Sequence, residues 1–255
     1  MHASTPPGRY EDYARFYDRT GQARFGLRML SHAMRDWARS GLVVKRLLDV
    51  ACGTGAVAVA CARRGIDVVG IDASEAMLEV ARARARHWGV PVDYQLQDMR
   101  RLHVPGPFDV VTCFYDSLNY LLDPAELVQV FTQVAVLLRP GGQLWCDVIT
   151  EHGLRTQWGQ DQEVATGDDF ARIWRSSLDP ESGIATLEID QFHLDSNTGL
   201  YHRIRESHPH RGYDPFDVRE AAEVAGLRLV RMHRSLSHEP ATARTYRVTH
   251  VYERP

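Results

Sequence analysis

Three aspartates stand where apolar runs end: Asp49 inside residues 47–51, Asp72 closing residues 67–72, and Asp98 just after residues 92–96. Between the first two lies Cys52-Gly53-Thr54-Gly55, followed at once by a small-residue segment, 56–64. Strand, glycine turn and helix in that order set backbone N–H groups at a helix N-terminus, facing whatever lies beyond the strand's carboxyl end. Glycine lets the backbone turn through conformations closed to other residues and lets a ligand approach the main chain. Asp72, about twenty residues beyond the glycines, is placed to accept both hydroxyls of a ribose. Asp49 can hold the amides of the turn, and Asp98 can accept an adenine amino hydrogen. This is the chemistry of a nucleoside-bearing cofactor, and Gly53-x-Gly55-x-x-Ala58 alone fits a dinucleotide too.

A second set of polar groups follows the fourth apolar run: Tyr115, Asp116, Ser117, Asn119 and Tyr120. Asp116 suits orienting an amine or receiving its proton, or else capping a helix; Ser117 and Asn119 suit substrate contacts, and Tyr115 belongs with Asp116 as a catalytic candidate. A third set, Glu206 to Tyr213, contains His208 as a candidate base and Arg211 as a carboxylate clamp. His152 is a further candidate base. His202, His208 and His210 could instead bind a metal, but no acid stands at a workable spacing, so no metal site is expected.

The elements that must hold these groups alternate. Strands at 47–51, 67–72, 92–96, 108–114 and 144–149 are interleaved with helical periodicity at 56–64, 74–87 and 124–138, the pattern of a parallel α/β sheet. Ser74 caps the second helix and Arg139-Pro140-Gly141-Gly142 stops the third. The rhythm breaks over 151–212. Three strands near 169–178, 184–194 and 200–207, joined by Asp/Pro/Gly/Asn clusters, spell antiparallel hairpins. It resumes with a helix at 215–225 and strands at 229–233 and 246–252. Residues 10–37 read as one or two helices, with Tyr13, Phe16 and Tyr17 on one face, either a lid or a packing helix over the sheet edge. Four segments result: an N-terminal helical lid (1–40), an α/β core (41–150), an antiparallel insert that caps substrate and offers a dimer surface (151–212), and a C-terminal completion of the core (213–255).

A chain of 255 residues with 44% hydrophobic and 25% charged residues can bury a sizeable core. A formal net charge of −3 supplies no basic field for nucleic acid. Cys52, Cys61, Cys113 and Cys146 lie far apart in apolar segments and read as free thiols of a reducing compartment. With no apolar leader at 1–9 and no run of about 18 apolar residues, the expectation is a cytoplasmic protein without a membrane partner. Lys45, the only lysine, precedes the first core strand and is badly placed for Schiff-base chemistry.

With LLDVACGTG, VVGIDASEAML, QDMRRL, FDVVTC and LLRPGGQL in this order, the sequence resembles the class I S-adenosylmethionine-dependent methyltransferases across residues 47–149 and again from Pro215. LDVACGTG with IDASEAML is most similar to the glycine and sugar-amine N-methyltransferases, which carry a similar insertion after the fifth strand. The resemblance implies a Rossmann-like seven-stranded sheet with helices on both faces. It implies S-adenosylmethionine as cofactor, S-adenosylhomocysteine as product, and an amine or hydroxyl of a small molecule as methyl acceptor. By position it implies that Ala51, Gly53 and Gly55 line the methionine part, with Asp49 behind them. Asp72 then takes the ribose, Ala73 and Met77 the adenine face, Asp98 and the Met99 amide the adenine edge, and Phe114 offers its backbone to the methionine ammonium. Tyr17 closes over the cofactor. A nicotinamide-dependent oxidoreductase and a non-catalytic cofactor-binding protein are the alternatives.

Overall fold

The computed structural model describes residues 10–19, 21–158 and 162–255, so parts of the expected lid and insert lie outside the described residues. In chain order, α1 (Ala14–Tyr17) and α2 (Ala23–Ser40) precede β1 (Arg46–Val50), α3 (Ala56–Ala62), β2 (Asp67–Asp72), α4 (Glu75–Trp88), β3 (Asp93–Leu96) and β4 (Phe108–Cys113). A 3₁₀ turn at Ser117–Tyr120 leads to α5 (Ala125–Leu137), β5 (Leu138–Ile149) and α6 (Glu151–Gln157). The insert follows as β6 (Gln162–Thr166), β7 (Phe170–Leu178), β8 (Ile184–Leu194) and β9 (Tyr201–Arg211), and α7 (Pro215–Val224), β10 (Arg228–Arg234) and β11 (Arg247–Glu253) close the chain.

The core is a seven-stranded sheet in the order β10-β11-β5-β4-β1-β2-β3, in which β11 runs antiparallel to both neighbours and the other pairs are parallel. Order reverses at β1, beside β4, and ligands bind at such a switch point beyond the carboxyl ends of the strands. Successive residues point to opposite faces. Leu48, Val50, Val69, Ile71, Val111 and Cys113 therefore pack beneath α5 and α7, while Leu47, Val68, Val110 and Trp145 pack against α2, α3 and α4. Both faces are covered, as near-continuous apolar strands require.

The insert is a four-stranded antiparallel sheet, β6-β7-β8-β9, and the sequence reading missed its first strand. Residues Gln162–Thr166 pair along their whole length with β7 but are largely exposed, so no apolar alternation marks them. Also unread was α6, whose start is fixed by Thr150 Oγ1 accepting from the Gly153 N–H at 2.9 Å. β5 begins at Leu138 rather than 144, because Leu138 already pairs with Phe108 of β4 and, after a register shift across residues 139–142, Gln143 resumes the pairing at Val110. The aromatic face of residues 10–17 does not cover the edge of the large sheet. Tyr13 is fully buried with Tyr10, Phe16 and Tyr17 around it, against Ile189 and Ile204 of the insert. The Glu206 carboxylate on β9 accepts from the backbone N–H groups of Tyr10 (3.0 Å), Asp12 (3.2 Å) and Tyr13 (3.0 Å), which pins the segment to the insert. On its other side Asp18 pairs with Arg84 of α4 and accepts from Thr54 Oγ1 at 2.9 Å, so the segment bridges insert and core.

Candidate functional site

A cavity of about 570 Å³ opens at the carboxyl ends of β1, β2, β3 and β4. Tyr17, Asp49, Ala51, Gly53, Asp72, Ala73, Met77, Asp98, Met99 and Phe114 all line it. Gly55 does not, which corrects the sequence reading. A Cβ on Gly55 would stand 2.3 Å from the Tyr94 hydroxyl and 2.8 Å from the Ala81 methyl, with the backbone at φ +72°. Gly53, at φ +53°, has open space where its Cβ would be. The two glycines thus serve different ends: Gly55 lets α3 approach α4 and β3, and Gly53 leaves a bare main chain on the cavity. Gly55→Ala is expected to lose at least about 2 kcal/mol of folding stability from left-handed strain and overpacking, read by urea denaturation. Gly53→Ala should lose less stability and more cofactor affinity; equal stability losses would contradict the division.

Asp72, not Asp49, holds the turn. Its Oδ2 accepts from the Gly53 N–H at 2.8 Å and its Oδ1 from the Ser74 N–H at 2.9 Å. Each carboxylate oxygen keeps a second lone pair for a hydroxyl. Burial raises the Asp72 carboxyl above its ordinary value against the pull of these amides. Asp49 sits behind, accepting from Thr112 Oγ1 at 2.7 Å, while its buried Oδ2 has no hydrogen-bond partner among the described residues. Burial, reinforced by the neighbouring Asp72 charge and opposed by Thr112, pushes Asp49 up to about 7. At the adenine end expected from the sequence, the Asp98 carboxylate is already engaged by Arg100, which also reaches Glu126 at 2.7 Å. Hydrogen bonds from Arg100 hold Asp98 below the usual carboxylate range.

Residues 47–142 match the methyltransferase domain family. A protein of Geobacillus sp. (strain WCH70) named as a methyltransferase is 30% identical over 246 residues, covering 95% of this chain and 98% of its own. The chain belongs to the class I S-adenosylmethionine-dependent methyltransferases. Among solved structures, a S-adenosylmethionine-dependent methyltransferase from Clostridium acetobutylicum superposes with a TM-score of 0.85 over 96% of this chain and 99% of its own, at 24% identity. A sugar N-methyltransferase from Streptoalloteichus sp. does so with a TM-score of 0.76 over 99% and 98%, at 22% identity. The nicotinamide reading of the glycine turn falls with this membership. S-adenosylmethionine is the methyltransferase's cofactor, and the cavity's features fit it: spare acceptor capacity on Asp72, an unpartnered carboxylate oxygen behind the turn, and a bare Gly53.

A cation bound in that cavity favours ionised Asp49. Cofactor binding by the methyltransferase is therefore expected to release a proton below pH 7 and to tighten as pH rises towards about 7, then level off. For the free protein the sign is opposite. An acid raised in the folded state contributes stability below its unfolded pKa and loses it as pH rises from about 4 to about 7. Calorimetric titration with S-adenosylmethionine in buffers of different ionisation enthalpy reads the released proton. Asp49→Asn should abolish it; an unchanged release would place the proton elsewhere.

A second cavity of about 460 Å³ lies between the core, the N-terminal segment and the insert, and it shares Tyr10, Tyr17, Gln22, Tyr115 and Tyr120 with the first. Tyr115 and His208 line it as the sequence suggested. Asp116 does too, but neither as a free base nor as a side-chain cap. Its carboxylate is buried against Arg247 Nη1 at 2.7 Å and His210 Nε2 at 3.3 Å. Burial alone would raise it, yet Arg247 and His210 outweigh burial and hold it below its ordinary value. A carboxylate so stabilised is a poor proton acceptor near neutrality. Asn119 is a backbone staple: its amide accepts from the Ile149 N–H at 2.9 Å and donates to the carbonyls of Ile149 (2.8 Å) and Arg211 (2.6 Å). Arg211 turns away to the Leu122 carbonyl, which removes it as a clamp. Ser117 lines the first cavity with its hydroxyl donating to the Phe114 carbonyl at 3.0 Å, and His152 lies on α6 outside both cavities. His202 is exposed, 3.7 Å from Asp195, while His208 and His210 are buried with other partners.

Two arrangements are not legible in the sequence. Asp147 and Arg247 hold a turn in which Tyr115 and Asp116 are both left-handed, at φ 66° and 52°. Asp147 accepts from the Tyr115 N–H at 2.7 Å and the Asp116 N–H at 3.1 Å, and Arg247 bridges the two carboxylates. The other is a buried chain. Glu206 Oε2 lies 3.0 Å from His208 Nε2, His208 Nδ1 lies 3.0 Å from the Tyr120 hydroxyl, and that hydroxyl lies 2.5 Å from the Tyr10 hydroxyl. Glu206 and His208, two apart on one strand, share a face, and that spacing was the available signal.

Proposed function

We propose that this methyltransferase modifies an amine or hydroxyl of a small molecule held in the second cavity, with Asp72, Asp98, Met99, Ala73, Met77, Gly53, Ala51, Phe114 and Tyr17 holding the cofactor in the first. The observation that carries this reading is the shared wall of Tyr10, Tyr17, Tyr115 and Tyr120 between the two cavities. Spare lone pairs on Asp72 suit the ribose hydroxyls, and unpaired Asp49 Oδ2 supplies negative charge behind the amino-acid end. When bound, S-adenosylmethionine supplies a methyl already activated on a sulfonium. The chain's own contribution is then alignment, which in a near-attack arrangement is worth roughly 7–11 kcal/mol.

Proton removal falls to the buried chain. Glu206 fixes the Nε2–H of His208, leaving Nδ1 as the acceptor towards Tyr120. As Tyr10 takes a proton from the acceptor, it passes its own to Tyr120, and Tyr120 passes one to His208. Glu206 stabilises the imidazolium that forms. This contributes on the order of 10²–10⁴-fold where the acceptor arrives protonated. The N-terminal segment, tied to Glu206 on one side and to Thr54 and Arg84 on the other, serves as the lid over both cavities.

Incubation with methyl-labelled S-adenosylmethionine and a panel of amino sugars, alkylamines, phenols, carboxylic acids and enolisable carbon acids tests the reading. Label is expected on an amine or hydroxyl acceptor, with turnover reduced in His208→Gln. Label confined to carbon or carboxylate acceptors would overturn the acceptor assignment, and unaltered turnover in His208→Gln would overturn the relay.

A further inference from the structure

Outside the lining of both cavities, α2 packs beside β10 and the loop that follows it, and four side chains with metal-ligating chemistry meet there. His32 and Asp36, four residues apart on α2, share one helix face. His238 comes from the loop after β10, and one ligand atom from each of these three residues falls within 4.8 Å of the others. The His32 and His238 rings stand 4.4 Å apart, and the His233 ring of β10 stands 5.3 Å from His32. His32 and His233 are buried, at 2% and 1% exposure, yet the Nε2 of each has no hydrogen-bond partner among the described residues. Two buried imidazoles with unsatisfied ring nitrogens at one seam call for a ligand, since buried polar atoms normally have a partner.

We propose that His32, Asp36 and His238 form a binding site for a divalent transition ion of the zinc class, with His233 beside it. Imidazole and carboxylate donors suit zinc, cobalt and nickel, whereas magnesium and calcium demand oxygen shells. His233 Nδ1 lies 2.9 Å from the Arg234 carbonyl, so the proton sits on Nδ1 and the lone pair on Nε2, the tautomer that coordinates. Arginines compete for the carboxylate. Arg231 pairs with Asp36 Oδ2, and Arg39 reaches Oδ1 at 3.5 Å and His238 Nε2 at 3.3 Å. Arg39 is 65% exposed and can swing into solvent, giving its place to the ion. Bound there, the ion ties α2 to the loop after β10 and stabilises the outer edge of the large sheet.

The test uses the full chain without any histidine tag. Zinc is titrated calorimetrically and cobalt by its visible d–d absorption, with thermal unfolding followed in parallel. One zinc per chain and a raised Tm are expected. His238→Ala, a change at an exposed loop residue, should weaken zinc by about 10–100-fold or more and remove the Tm rise. His87→Ala, an exposed histidine on α4, should change neither. Absence of saturable zinc or cobalt binding overturns the site, as does binding that His238→Ala leaves unchanged.

Discussion

Replacing Arg247 with methionine should cost about 3–5 kcal/mol of folding stability. Nη1 of Arg247 lies 2.7 Å from Asp116 Oδ1 and 2.6 Å from Asp147 Oδ2, and all three side chains are buried. Burial raises Asp147 even with Arg247 beside it, whereas Asp116 has His210 as a further partner and stays low. Removing the guanidinium leaves two buried carboxylates facing each other, and charge repulsion adds to their desolvation. Asp147 would answer by taking a proton, and its grip on the Tyr115 and Asp116 amides would weaken. The turn those amides form is left-handed at two consecutive non-glycine residues and cannot stand without external restraint. Urea denaturation measures the loss. Arg247→Lys should retain part of the stability, because an ammonium restores charge without the planar fork. A loss below about 1 kcal/mol for Arg247→Met would show that the turn is held by packing alone.

The contrast between Asp147 and Asp49 explains what the sequence revealed. Asp49, Asp72 and Asp98 are spaced by the strand–helix repeat, so a local pattern places them together at one end of the sheet. The core strands and the end of the sheet where the first cavity opens are legible for that reason. Asp147 occupies a comparable position near the end of β5 but acts through Arg247, 100 residues later, on an antiparallel strand that no spacing rule ties to it. Asn119 shows the converse error. Its place in a polar stretch beyond β4 suggested substrate, yet only the fold brings the ends of β5 and β9 to its amide, and a fully buried amide serves the backbone it meets. Gly55 resembles a cofactor glycine in the sequence, which cannot say on which side of a turn a missing Cβ lies. Tyr94 of β3, 39 residues away, decides it. The edge strand β6 carries too little apolar alternation to show itself before its partner is known.

Asp72→Asn is expected to weaken S-adenosylhomocysteine binding by about 100-fold, roughly 2.7 kcal/mol, while leaving the fold intact. The carboxylate has two tasks at once. One lone pair on each oxygen fixes the Gly53 and Ser74 amides, and the other faces the cavity. An asparagine keeps one acceptor oxygen but sets an NH₂ donor against one of two N–H groups that need an acceptor. Both ends of the site then fail together. The turn loses the contact that holds Gly53 on the cavity, and a hydroxyl loses a charge-assisted partner, worth about 1.5–3 kcal/mol. Product is the better probe than substrate here, because it lacks the sulfonium charge and isolates the hydroxyl contacts from the electrostatics of Asp49. Asp72→Glu separates the tasks. The longer side chain can still reach a hydroxyl but cannot bond the Gly53 and Ser74 amides in the same geometry, so its affinity should fall between wild type and Asp72→Asn. Binding of S-adenosylhomocysteine within threefold of wild type in Asp72→Asn would move the ribose to another group on the cavity wall, and Gln97, a polar side chain lining it next to Asp98, would be the next to change.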